Sequence, residues 1–159
     1  MNKQSTQFLT LILSIALAQA AGLIGSFFTV SSVGTWYATL TLPSFAPPSW
    51  VFGPAWITLY TLMGIAAYLV WRERRQKIAR TALAVYGVHL VFNALWSVIF
   101  FGLRNPGLAF VEIILLLILI VFTTILFWRI DRRAGWLMMP YILWTSFAAY
   151  LNFSIWILN

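Results

Sequence analysis

Residues 108–128 read LAFVEIILLLILIVFTTILFW and contain a single charged residue, Glu112. At a rise of about 1.5 Å per residue, a helix of this length crosses the hydrocarbon core of a bilayer, about 30 Å thick. The apolar residues run continuously and do not alternate with polar ones, which does not fit a strand of a membrane barrel. Because a backbone in lipid must satisfy its own hydrogen bonds, the segment predicts a transmembrane helix.

Four more apolar segments of similar length accompany it, at residues 8–30, 50–71, 81–102 and 135–158. The chain is 62% hydrophobic and only 8% charged, whereas about 25% of the residues are charged in an ordinary soluble domain. We therefore predict an all-α integral membrane protein, one domain over residues 1–159 that folds as a bundle of five transmembrane helices. The chain contains no cysteine, which excludes disulfides, thiol chemistry and cysteine-ligated metals.

The basic residues are distributed unevenly between the two ends of these segments. Nine of the ten lie at the N-terminus, between the second and third segments or between the fourth and fifth, and only Arg104 lies on the opposite side. The positive-inside rule then predicts a cytoplasmic N-terminus, an outer C-terminus and an outer loop at residues 31–49. Topology and anionic headgroups explain the net charge of +7, so it does not indicate a nucleic-acid partner.

The outer loop and the start of the second segment form an unusual stretch, residues 35–60, TWYATLTLPSFAPPSWVFGPAWITLY. It contains four of the chain's six prolines, three of its nine tryptophans and no charge. Loops at a membrane surface are ordinarily solvated and polar. A loop built from aromatic residues and prolines therefore predicts a lid over an apolar pocket.

Polar side chains within the segments are few, and intramembrane polar residues often mark functional sites. His89, Asn93 and Ser97 recur at intervals of four on one face of the third helix, beside Trp96 and Phe100. His89 either ligates haem or hydrogen-bonds a neighbouring helix. Asn93 either holds the polar edge of a ligand or contacts another helix.

The fifth segment carries a second face of this kind, with Tyr141, Trp144, Ala148 and Asn152 in line. The small Ala148 beside Trp144 would leave room for a flat ligand, and aromatic packing between helices is the alternative. Pro140 predicts a distortion of the helix in its cytoplasmic half.

Glu112 lies about one turn into the fourth segment. We expect it near the outer interface, where snorkelling or pairing with Arg104 costs little. The other acidic residues, Glu73 and Asp131, fall in the cytoplasmic loops. The absence of a second intramembrane carboxylate argues against paired-carboxylate hydrolysis and proton-coupled antiport.

Small residues recur every four positions in the first segment, at Ser14, Ala18, Gly22 and Ser26. This spacing makes a smooth helix face suited to close packing. The face packs within one bundle or joins two copies as a dimer, and the pattern leaves both interpretations open.

Three stretches of the chain resemble the TspO/translocator protein family, which includes tryptophan-rich sensory proteins and peripheral-type benzodiazepine receptors. WYATLTLPSFAPPSWVFGPAWITLY at 36–60 is similar to its first loop and second helix. FNALWSVIFFG at 92–102 resembles its third-helix motif, and PYILWTSFAAYLN at 140–152 its fifth-helix motif. The motifs occur in the family's order, and the overall match, with five spans, covers nearly the whole chain.

The resemblance implies a homodimer in a bacterial or archaeal plasma membrane, with a pocket beneath the first loop. That pocket would bind protoporphyrin IX, haem and other apolar molecules for sensing or transport, with no required cofactor and no metal apart from the possible His89–haem bond. The ligand-binding residues expected on this basis are Tyr37, Pro47, Trp50, Trp56, Tyr60, Asn93, Trp96, Phe100, Trp144, Phe147, Ala148 and Leu151. The resemblance also implies an alternative, an enzyme that degrades protoporphyrin IX in light and oxygen with Trp56 and Trp144 as catalytic residues.

The chain departs from the family pattern at the lid and at the C-terminus. Leu42 replaces the family's basic residue before the first proline of the loop, and Phe45 replaces a tryptophan. The C-terminal LNFSIWILN lacks the basic residue of the sterol-recognition pattern, which argues against sterol binding through it. We therefore expect the lid to hold its ligand by aromatic stacking and apolar contact, with little help from charge.

Overall fold

The computed structural model of the chain describes residues 3–159. In this range five long α-helices form the fold, and each is long and apolar enough to cross a membrane. They are α1 (Lys3–Val33), α2 (Phe52–Arg72), α3 (Lys77–Ser97), α4 (Pro106–Ile130) and α5 (Arg132–Leu158). The prediction of an all-α membrane protein with five spanning helices is confirmed. Most helices extend past the apolar segments, because lysine, arginine and glutamine are good helix formers and continue the helix into the interface.

The helices form a closed ring in the order α1, α2, α5, α4, α3, and α1 packs on α3 to complete it. Large buried side chains such as Tyr141, Phe127 and Met63 fill the interior. Most of the remaining apolar side chains of α1 and α4 face outward, as in Phe27, which is 76% exposed. In a bilayer this outer surface contacts lipid, so an apolar exterior is expected.

Small residues allow α1 and α2 to approach closely. Gly64 of α2 lies against the backbone of Ile15, where an added Cβ would come within 2.5 Å of the Ile15 Cα. Ala18 of α1 is fully buried, and Gly22 lies against the ring of Tyr60. This part of the small-residue face therefore packs within the bundle, while the homodimer expected from the family resemblance stays a prediction.

The C-terminal end of the third span differs from the regular helix that the sequence predicts. Residues Val98–Gly102 form a π-helical turn that continues α3. Widening of the turn buries three consecutive side chains, those of Ile99, Phe100 and Phe101. The Ser32 hydroxyl of α1 donates to the carbonyl of Phe101 at 2.9 Å, which satisfies a backbone group of the turn.

We expected Glu112 near the outer interface, snorkelling or paired with Arg104, but its side chain faces the interior of the bundle. Its side chain is 5% exposed on the buried face of α4, next to Ile113. Among residues 3–159 the single ion pair joins Arg133 to Asp131, so Arg104 does not pair with Glu112. Distance from the start of the helix suggested an interfacial position, but the rotation of α4 turns this side chain inward.

Pro140 lies inside α5, which continues as one helix from Arg132 to Leu158. The expected distortion thus does not interrupt the helix.

At the start of α5 a tight turn joins it to α4, and the Asp131 side chain accepts the Arg133 N–H at 2.9 Å as an N-cap. The neighbouring Arg133 guanidinium lowers the pKa of the Asp131 carboxyl below its usual value.

Substitution of Gly64 tests the close approach of α1 and α2. We expect Gly64→Ala to lower the free energy of unfolding by about 1–3 kcal/mol, because the new methyl group meets the Ile15 backbone. The matched control is Gly87→Ala on α3, where an added Cβ meets no atom within 4 Å and helix propensity improves. Thermal unfolding in detergent measures both, and equal midpoints for the two variants would contradict this packing.

Candidate functional site

A cavity of about 630 Å³ lies at one end of the bundle, among α1, α2, α3 and α5. This is the end that carries residues 34–51, the connection between α1 and α2 that we call the lid. Both ends of the lid, Gly34 with Tyr37 and Ser49 with Trp50, line the cavity. The volume is within the range of about 300–1,000 Å³ that is typical of small-molecule sites.

Most of the residues expected to bind a ligand come together around this cavity. Those that line it are Tyr37, Trp50, Trp56, Tyr60, Asn93, Trp96, Phe100, Trp144, Ala148 and Leu151. Pro47 and Phe147 are not part of the lining. Pro47 is half-buried within the lid, and Phe147 packs between Trp144 and Phe45 with ring centroids 5.9 and 6.4 Å away.

Aromatic rings on α2 and α5 build one wall. The Trp56 ring stacks on Tyr60 at 5.4 Å and meets the Trp144 ring edge to face at 6.5 Å. Phe52 packs edge to face on the other side of Trp144, at 6.0 Å. Offset-stacked and edge-to-face pairs are the favoured arrangements of aromatic rings, so these contacts hold the wall in a defined shape.

Another wall is formed by the C-terminal end of the third span. Trp96 stacks on Phe100 with ring centroids 5.1 Å apart. The Trp96 indole N–H donates to the Asn152 side-chain oxygen at 3.0 Å, and the Asn152 amide donates to the Pro106 carbonyl at 2.7 Å. Asn152 thus ties α5 to α3 and to the start of α4, and it fixes the orientation of the Trp96 ring.

A chain of hydrogen bonds crosses the floor of the cavity. The Tyr60 hydroxyl of α2 donates to the Asn93 side-chain oxygen, and the Asn93 amide donates to the Tyr141 hydroxyl of α5 at 2.9 Å. Asn93 therefore contacts other helices, and because it also lines the cavity, its contact with the polar edge of a ligand stays a prediction. One of its amide hydrogens is left over and can serve a ligand acceptor.

His89 lies beneath this floor and does not line the cavity. Its side chain is fully buried between the rings of Tyr86 and Tyr141, with centroids 4.9 and 5.7 Å away. This placement gives no support to the interpretation of His89 as a haem ligand in the cavity. The sequence pattern correctly placed His89 on the same face of α3 as Asn93. His89 lies one helical turn before Asn93, however, and this distance keeps it out of the cavity lining.

The cavity also opens sideways, between α1 and α2. Leu23 and Ile57 line it and are nevertheless 69% and 61% exposed on the outside of the bundle. Below this opening the Gln19 amide donates to the Ile57 carbonyl at 3.0 Å and to the Thr61 hydroxyl at 3.1 Å. These bonds hold the two helices together at mid-depth, so the crevice faces the lipid only in the half nearest the lid.

Two parts of the lining were missed by sequence reasoning. None of the expected ligand contacts lay on α1, although residues from Gln19 to Val33 contribute a whole side of the cavity. The small residues Gly22 and Ser26 were a signal for this side, since they leave space beside the helix. Phe101 was missed because a regular helix would turn it about 100° away from Phe100, whereas the π-helical turn keeps both rings at the cavity.

The cavity has no charged side chain in its lining within the described part of the chain. Burial raises the pKa of the Tyr37 hydroxyl above its ordinary value. Leu42, where the related family has a basic residue, is 39% exposed on the lid. The arrangement can hold a large apolar molecule between aromatic walls, and it supplies no acid–base pair for catalysis.

Comparisons with known proteins match most of the chain to one family. A sequence profile of the TspO/MBR family matches residues 14–157. The chain is 44% identical over 151 residues to the "Tryptophan-rich protein TspO" of Archaeoglobus fulgidus, which covers 95% of this chain and 97% of that protein. It is 37% identical over 147 residues to the human "Translocator protein", with 91% and 87% of the two chains covered. It is also 37% identical over 124 residues to the "Tryptophan-rich sensory protein" of Cereibacter sphaeroides, with 78% and 77% covered.

Proposed function

The chain belongs to the TspO/MBR family, and from this premise we propose that it binds porphyrins such as protoporphyrin IX or haem, together with related apolar molecules, as a tetrapyrrole sensor or transporter. The observation that carries this proposal is the cavity of about 630 Å³ with uncharged aromatic walls. Relatives named as a sensory protein and as a translocator support a role in signalling or transport.

A flat aromatic macrocycle suits this site for two physical reasons. The stacked pairs Trp56–Tyr60 and Trp96–Phe100 present ring faces from two different helices, and π-faces stack favourably on one another. The sideways opening between α1 and α2 would admit a molecule that partitions into lipid. Polar groups at the edge of such a ligand would meet the neutral donors of the lining, such as the Tyr37 hydroxyl.

Filling the cavity tests whether the ligand occupies it. We expect Ala148→Phe to weaken protoporphyrin IX binding at least about tenfold, because the added ring takes the space beside Trp144. The matched control is Ala16→Phe, at an exposed position of α1 outside the lining, which should leave the affinity unchanged. Quenching of tryptophan fluorescence and the shift of the Soret band measure both.

Two results of this titration would overturn the proposal. One is a native protein that shows neither quenching nor a Soret shift. The other is equal binding by both variants, which would place the ligand outside the cavity. An affinity that falls steeply with ionic strength would contradict the expected mode of binding, since no charge lines the site and Leu42 replaces the basic lid residue.

A second candidate function is the light- and oxygen-dependent degradation of protoporphyrin IX. Trp56 and Trp144 favour it, because both indoles line the cavity and lie edge to face at 6.5 Å. An excited porphyrin beside electron-rich indoles can exchange an electron with them, with molecular oxygen as the oxidant. Such chemistry would need no acid–base group, which is consistent with the uncharged lining.

Illumination of the complex tests this candidate. Trp56→Phe and Trp144→Phe keep an aromatic ring but remove the indole, so we expect dark binding to persist while any new product spectrum is lost. Trp136→Phe is the control, since Trp136 is 62% exposed and outside the cavity lining. If the Trp56 and Trp144 variants form product at the native rate, these residues are not catalytic.

We also propose that the protein lies in a bacterial or archaeal plasma membrane with its N-terminus in the cytoplasm and the lid and C-terminus outside. The distribution of basic residues supports this orientation, because the α2–α3 and α4–α5 turns at the end opposite the lid carry most of them.

Because the chain has no cysteine, single introduced thiols report the orientation cleanly. We expect Ser44→Cys, on the lid, to react with a membrane-impermeant maleimide in intact cells. Gln76→Cys, in the α2–α3 turn, should react only after permeabilisation. The reverse pattern would invert the topology.

A further inference from the structure

The lid is tied to the rest of the protein by surprisingly few polar contacts. Its own hydrogen bonds are local, as in Leu40 N–H to the Tyr37 carbonyl at 3.2 Å and Ala46 N–H to the Pro43 carbonyl at 3.0 Å. Within residues 3–159, the hydrogen bonds that join residues 37–47 to another element all involve one side chain, that of Asn159. This residue follows α5, 118 positions away in the chain.

The Asn159 carboxamide pairs with both backbone groups of Thr41. Its oxygen accepts the Thr41 N–H at 2.9 Å, and its amide donates to the Thr41 carbonyl at 3.1 Å. The same amide donates to the Ile155 carbonyl at 2.8 Å, which holds the side chain over the last turn of α5. The carboxamide thus bonds to Thr41 as the backbone of a neighbouring β-strand would. Its bond to the Ile155 carbonyl of its own helix sets its orientation.

An aromatic contact on the same helix reinforces this attachment. Phe45 of the lid stacks on Tyr150 of α5, with ring centroids 5.0 Å apart and planes 17° from parallel. The start of the lid is held differently, because Tyr37 packs against the Phe101 ring at 5.8 Å. The hydrogen bonds and ring contacts that join residues 41–45 to another element therefore all go to α5 and to Asn159 at its end, through the Asn159 carboxamide and the contacts of Phe45 with Tyr150 and Phe147.

We propose that Asn159 is a positioning residue that latches the lid onto α5 and so controls access to the cavity from the aqueous side. Release of Thr41 leaves the middle of the lid held only by the ring contacts of Phe45, while the contacts at its two ends can remain. A bidentate pair that breaks as a unit gives the lid two distinct states, attached and released. For a bound porphyrin the latch would set the residence time, and this last consequence rests on the proposed function.

Access to the cavity can be measured without any ligand. The chain lacks cysteine, so Ala148→Cys provides a single thiol in the cavity lining. Its reaction rate with a membrane-impermeant maleimide is compared in the native and Asn159→Ala backgrounds, in nanodiscs. We expect about tenfold faster labelling without the carboxamide, because two hydrogen bonds are lost together.

Two further variants separate the latch from a general effect on α5. Asn159→Asp keeps the acceptor for the Thr41 N–H but turns an oxygen toward the Thr41 carbonyl, so it should also speed labelling. Ser154→Ala is the control, since that hydroxyl only donates to the Tyr150 carbonyl of its own helix at 2.9 Å, and its rate should be native. Hydrogen exchange of residues 37–47 should rise in both Asn159 variants.

The outcomes distinguish the latch from the proposed function. Native labelling and exchange rates in Asn159→Ala would overturn the latch, even if protoporphyrin IX binds. Faster labelling together with no porphyrin binding by the native protein would support the latch and overturn the proposed ligand. Faster labelling with an unchanged porphyrin dissociation rate would overturn control of residence time by Asn159.

Discussion

Lipid offers no hydrogen bond to a peptide group, and the whole structure follows from this constraint. It requires each span to be helical and leaves association between helices to close packing and to a few interhelical polar contacts. The contact between Gly64 and Ile15 is an instance of close packing, since it brings two backbones together where any side chain would separate them. A bundle packed in this way has little interior space, so a cavity within it requires walls that resist collapse.

Side-chain amides provide much of that resistance. Gln19 joins α1 to α2, Asn93 joins α2 to α5 through two tyrosines, and Asn152 joins α5 to both α3 and α4. Each amide is both donor and acceptor, so it can link two partners without introducing a charge that lipid would penalise. Between these ties the aromatic rings interlock edge to face. The cavity is therefore a neutral space with interlocked walls, and in the proposed latch Asn159 applies the same chemistry to the lid.

Much of the site was expected before the structure, because helix periodicity placed polar and aromatic residues on faces of the third and fifth segments and the family resemblance implied the other ligand contacts. Trp56, Asn93, Trp96 and Trp144 were expected together, and they meet around one cavity. The failures have physical causes that periodicity does not contain. Glu112 is buried because its helix is rotated by packing on both neighbours, and Phe101 reaches the cavity because a π-helical turn changes the angle between successive residues.

By itself the sequence determined the number of helices, the end of the bundle that carries the lid, the aromatic and uncharged character of the site and the family. The first three depend on composition, length and local spacing, which each segment carries alone, and the family was identified from the resemblance of three motifs. Only the tertiary structure decided which face of α1 closes the cavity, that His89 lies beneath its floor and that Asn159 reaches Thr41 across 118 positions. Those contacts depend on how the helices are rotated and packed against one another, and the free energy of that packing belongs to pairs of helices, so no single segment encodes it.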